Sequence, residues 1–137
     1  MDDETRLTAH CVADASFVDT VHDLLDDLLA RAASVGDEDQ MLFRLAVGEV
    51  ATNIVAHARS REPIEIDVTL TCDADRLTAV FTDNADPALI DLENVDMPDA
   101  DAESGRGLAI ALAALDELDR RSEHGNTWTL RRRLRRT

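Results

Sequence analysis

Hydrophobic and polar positions along the chain change period several times, and each change marks an element. Thr5 to Val12 alternates partly and is short, which predicts a strand, with an edge position as one option. From Ala15 to Ala33 the apolar residues Phe17, Val21, Leu24, Leu25, Leu28 and Leu29 recur at helical spacing, with Asp14 or Ser16 placed to cap the start. A second helix is predicted from about Glu38 to Arg59, with Leu42, Leu45, Ala46, Val50, Ile54 and Val55 as its apolar stripe and Pro63 closing the region.

Ile64 to Cys72 alternates almost strictly, as a half-buried strand does, and Leu77 to Thr82 follows after a turn at Asp73 to Asp75, which makes the pair a hairpin. Asp83 to Ser104 is rich in Asp, Asn and Pro and has little period. It reads as a long loop with one helical turn near Ala88 to Leu92, and a loop of that length is commonly functional or disordered. Gly105 to Leu118 reads as a helix opening on glycines. Arg120 to Glu123 and Thr127 to Leu134 read as strands around a turn at His124 to Asn126.

The order strand, two helices, two strands, loop, helix, two strands lacks regular βαβ alternation. The fold class is therefore α+β: a two-layer sandwich, its mixed, mostly antiparallel sheet covered by helices on one face. The length, 137 residues, fits a single domain spanning 1–137. Hydrophobic residues make up 45% but aromatics only 3%, so the core must come from Leu, Val, Ile and Ala.

The formal net charge of −15 opposes nucleic acid and anionic membrane as partners and suits either plain solubility or a basic protein partner. All 14 basic residues are Arg, which removes the P-loop lysine and every other lysine-based mechanism. Phosphate would have to be handled by Arg, backbone amides and a metal. The only cysteines, Cys11 and Cys72, form no CxxC pair and read as two buried small hydrophobes. Met1 to Glu4 is acidic with no apolar leader, and no run approaches a membrane span, so a cytoplasmic location is expected. The last seven residues, RRRLRRT, read as a solvated end or a charge-blunted edge strand, with a contact surface as the alternative.

Three pieces carry chemistry. Glu49 and Asn53 are four residues apart, on one helical face, with His57 continuing the line. A carboxylate can take a proton from a hydroxyl, and an amide oxygen is a hard ligand suited to Mg²⁺; a solvated polar face is the plainer reading. In FTDNADP, residues 81 to 87, Asp83 directly follows a hydrophobic strand, where it either accepts a hydrogen bond from an exocyclic amine or simply ends the strand. In SGRGLAIA, residues 104 to 111, glycines at a helix start either let amides approach a phosphate, with Arg106 as a further cation, or give a flexible helix entry.

Together AVGEVATNIVAHA, VFTDNADP and SGRGLAIALAALDEL stand in the order of the N, G1 and G2 boxes of the GHKL superfamily, and the chain resembles its stand-alone anti-sigma-factor serine/threonine kinases from about Leu7 to Leu134. The resemblance implies the Bergerat ATP-binding fold, with an ATP lid at about 86–104. It implies ATP and Mg²⁺ as cofactors, Glu49 as general base and Asn53 as metal ligand. It implies nucleotide contacts at Asn53, His57, Asp83, Ala85, Gly105, Arg106, Gly107, Leu108 and Thr127. The partners it implies are a STAS-type anti-sigma-factor antagonist, which is phosphorylated, and a sigma factor, which is sequestered. Family members often dimerise, and an edge strand at Thr5 to Val12 would suit that.

There are departures. The G1 box of the family reads D-x-G-x-G, whereas Ala85 and Pro87 stand at the two glycine positions here. That bears on ATP affinity more than on fold and keeps open a non-catalytic, GHKL-fold binding module. Helix 1 has no Arg before Arg31, where many members carry basic residues that grip the antagonist.

Overall fold

The computed structural model describes residues 4–32, 34–57, 64–84, 103–122 and 125–134, the side chains of 57 and 103–106 excepted. The expected lid at 86–104, its helical turn at 88–92, Ala85 and Pro87 lie outside the described residues, apart from the helical backbone at 103 and 104.

The elements run β1 (Thr5–Val12), α1 (Phe17–Arg31), α2 (Asp37–His57), β2 (Glu65–Cys72), β3 (Arg76–Asp83), α3 (Glu103–Ala114), β4 (Glu117–Arg121) and β5 (Asn126–Arg133). The sheet order is β1-β2-β3-β5-β4. Every neighbouring pair is antiparallel, so the sheet is uniformly antiparallel rather than mixed. The α+β sandwich is as expected, and β1 is an edge.

Strand alternation decides which face the helices cover. Ile66, Val68, Leu70 and Cys72 of β2, Leu77, Ala79 and Phe81 of β3, and Trp128 and Leu130 of β5 are all buried against Phe17, Val21, Leu25 and Leu28 of α1 and Val47, Val50 and Ala51 of α2. Phe17 meets Phe81 edge-on at 6.2 Å between ring centroids. The inner face of β3 and β5 is apolar in the middle and polar at both ends. Asp83 and Asn126 are paired and buried at one end, while Arg132 is buried at the other.

Three expectations are corrected. The helix α3 begins at Glu103 and ends at Ala114, so the glycines lie inside it and Glu117 and Leu118 belong to β4. Tertiary pairing overrides their helical propensity: the Asp116 amide donates to the Arg131 carbonyl at 2.9 Å, and the Asp116 carboxylate accepts the Arg133 amide, which captures the chain onto β5. Second, α2 is buried around more than one side because it packs against α1, α3 and the sheet. Phe43 and Val47 are inside, whereas Leu45, assigned to the stripe, is 43% exposed. Third, β5 is not an edge, and Arg132 turns inward: its Nε donates to Asp39 at 2.9 Å and its Nη1 to the Ala114 carbonyl at 2.7 Å. Cys72 is buried as expected, but Cys11 on the edge strand is only half-buried; burial pushes its thiol pKa up, with Asp14 and Asp67 adding to it.

Candidate active site

The helix α2 carries Glu49 and Asn53 one turn apart, as the spacing predicts. They differ in exposure. Glu49 is half-buried, and Asn53 is 4% exposed. Both Asn53 Oδ1 and Nδ2 lie buried without a hydrogen-bond partner among the described residues. An unmatched buried amide costs about 1–3 kcal/mol, so an amide left in this state calls for a partner beyond the described residues.

The second wall comes from α3. Gly107 is buried, and a Cβ built on it would overlap Glu49 Oε2, with Glu49 Cδ at 3.5 Å. The N-box carboxylate and the second glycine box are therefore in contact across the α2–α3 seam. Leu108 is 1% exposed and belongs to the core, so at most its backbone faces a ligand. Gly105 and Arg106 lie in the first turns of α3. The side chains of Arg106 and His57 lie outside the described residues.

At the end of the sheet, Asp83 is 5% exposed on the inner face, the face the helices cover. Its Oδ1 accepts a hydrogen bond from Asn126 Nδ2 at 3.0 Å. Asn126 Oδ1 in turn accepts from Ser122 Oγ at 2.9 Å and Arg120 Nη2 at 3.3 Å, and the Arg120 guanidinium lies over the Trp128 ring at 5.8 Å. This chain of donors fixes the amide so that its nitrogen faces Asp83. Gly125 makes the approach possible: its φ is +111°, and any Cβ there would strike the Asp83 carbonyl. Asn84 holds the strand end by accepting the Glu65 amide at 2.9 Å.

The structure thus brings Glu49 and Gly107 together, with Asn53 one turn along α2 from Glu49, and pairs Asp83 with Asn126 at the end of β3 and β5. It does not bring Thr127 to Asp83. Thr127 pairs with Thr82 in the register and faces the outer side of the sheet, while its neighbour Asn126 faces in. Sequence reasoning missed Asn126, although strand parity offered the signal: Trp128 must be buried, so the residue two before it faces inward.

Glu49 also lines a surface groove of about 420 Å³ between α1 and α2, with His22, Met41, Leu45 and Thr52. Met41 is 62% exposed there. One face of the carboxylate is closed by α3 and the other is open to this groove. No described helix is long and apolar enough to cross a membrane.

The family model of the histidine kinase-like ATPase domain matches residues 11–132. The chain belongs to that family. The match runs through all three boxes and both ends of the sheet. No curated protein matches the chain. Among solved structures, the chain is similar to the RsbU and RsbW domains of Rv1364c from Mycobacterium tuberculosis, with a TM-score of 0.66 and 20% identity over 95% of this chain. The chain spans about a third of that protein's length, the match covering 32% of it, and at this identity the likeness is one of fold. The GHKL-type architecture expected from the boxes is thus the one observed, and a histidine kinase-like ATPase domain implies a site for ATP.

The residues present suit Mg²⁺ as well. Among the described residues no cluster of three His, Cys, Asp or Glu could hold a metal by itself. Mg²⁺ seldom asks for such a cage, since it keeps waters and shares phosphate oxygens. The unpartnered Asn53 Oδ1 is the hard oxygen such an ion would take.

Proposed function

We propose that this chain is an ATP-dependent serine/threonine protein kinase of the anti-sigma-factor type, acting in the cytoplasm. It phosphorylates a STAS-type antagonist and sequesters a sigma factor, and the two compete for it. One observation supports this reading above the rest: a buried Asn53 amide, without a hydrogen-bond partner among the described residues, one turn from a half-buried Glu49 on the same helix.

In this reading Glu49 accepts the proton of a Ser or Thr hydroxyl as that oxygen attacks the γ-phosphorus and ADP departs. The open side of Glu49, in the α1–α2 groove, is where the hydroxyl has access. Asp83, aligned by Asn126, accepts a hydrogen bond from the adenine amine. Backbone amides around Gly105 and Arg106 serve the phosphates at the start of α3. Asn53 would hold Mg²⁺, which neutralises charge on the phosphate oxygens. The fold match to a protein with an RsbW domain agrees with the partner class, and the charge of −15 suits a basic partner.

The test is phosphoryl transfer from labelled ATP to purified STAS-type antagonists. Glu49→Gln should lower the rate by about 10²–10⁴-fold while Mg·ATP still binds. The second reading, a non-catalytic binding module, is favoured by Ala85 and Pro87 in the first glycine box. It predicts no transfer by the wild type and an unchanged partner affinity in Glu49→Gln.

A further inference from the structure

Around Gly107 the structure separates two reasons for a glycine. A phosphate cradle would leave the space at its Cα open. Here the three heavy atoms nearest an added Cβ all belong to Glu49: Oε2 in overlap, Cδ at 3.5 Å and the side-chain Cβ at 3.9 Å. Among the described residues, and apart from the backbone of α3 itself, no other atom lies nearer. At Gly48, by contrast, an added Cβ meets only the His22 ring, at 3.2 Å, which is a tight contact and not an overlap. The vacancy at Gly107 is thus filled by one functional group.

From this we infer that Gly107 is a positioning residue for Glu49: its missing side chain is the seat that holds the carboxylate against α3 and aims it at the acceptor. The inference rests on the kinase reading for its consequence, but not for its geometry. Any side chain at 107 drives Oε2 off its seat, and the free volume on the other side is the groove with Met41, Leu45 and Thr52. The oxygen is the far end of a flexible side chain, so the displacement leaves the fold intact. Alanine is also the better helix former. Gly107→Ala therefore separates the place of the base from the stability of the domain.

The experiment uses ¹³C-carboxyl glutamate labelling of the full chain. The Glu49 resonance is identified by its loss in Glu49→Gln. In Gly107→Ala that resonance should move by more than its width. With an acceptor that the wild type phosphorylates, Gly107→Ala should lower kcat by about 10–100-fold, because displacement by about an ångström has that effect, with KM for ATP changing far less. In the Glu49→Gln background the same substitution should lower kcat no further, since the two residues act as one unit. A Glu49 resonance that stays in place overturns the inference. So does a loss of equal size in the Glu49→Gln background with KM for ATP raised in step, which would assign the glycine to the phosphates. If the wild type phosphorylates no acceptor, the kinase reading fails, and the resonance alone decides where the carboxylate sits.

Discussion

Asn53 is polar in a position where burial ordinarily removes polarity, and its described neighbours give it nothing to bond. Stability and function pull in opposite directions at such a residue. Removing the unmatched amide should be neutral or stabilising, by up to about 1–2 kcal/mol after the small cavity left behind is counted. Thermal melting of Asn53→Ala without nucleotide is expected at or above the wild-type midpoint, with Mg²⁺-dependent ATP binding lost. A midpoint several degrees lower would mean the amide is structural. Asp83 is the contrast: it is buried but held by Asn126. The sequence displayed Glu49, Asn53 and Asp83 by spacing and by position after a strand. It did not display burial, because α2 is shielded by α3 as well as by the sheet, and a single apolar stripe gives no sign of that. It also led to Thr127, which faces the outer side of the sheet, where the inward residue is Asn126, a parity of one that follows from the burial of Trp128.

Between elements, the Asp39–Arg132 pair does the tying. Both side chains are more than nine-tenths buried, and Arg132 also donates to the last carbonyl of α3, so one guanidinium joins the start of α2, the end of α3 and β5. Asp39→Ala would leave a buried cation without its partner, at a cost of about 3–5 kcal/mol, whereas Asp39→Leu with Arg132→Met should lose much less. Urea midpoints of the three proteins check this. At the sheet edge, His10 of β1 bonds the Asp67 carboxylate at 2.6 Å and that of Glu65 at 3.1 Å on β2. These bonds raise the His10 pKa above 6.5, that with Asp67 most. A raised folded pKa gives stabilisation that is complete below 6.5 and disappears as pH climbs through the folded value. The melting difference between wild type and His10→Gln should therefore be largest at about pH 6 and shrink toward about pH 8.5; the pair is exposed, so the effect is small. Most element boundaries followed from hydrophobic period. The end of α3 did not, since Glu117 and Leu118 obey their pairing with Arg131 and Leu130 rather than their helical preference.

For the molecule as a whole, the sheet sorts its polar groups by end. Asp83 and Asn126 close one end of the β3–β5 pair, and the Arg132 pair closes the far end. The chain carries a net charge of −15 and no lysine, so in the proposed kinase the anionic phosphates would be met by fixed amides, Arg and an ion rather than by a general positive field. In that reading the metal is decisive. The most direct test is calorimetric titration of the full chain with ATP, with and without Mg²⁺. The account predicts saturable binding that needs Mg²⁺ and is lost in both Asn53→Ala and Asp83→Ala. Absence of binding at about 1 mM ATP, the weakest affinity of consequence here at roughly −4 kcal/mol, or binding indifferent to Mg²⁺ and to Asn53, would contradict it.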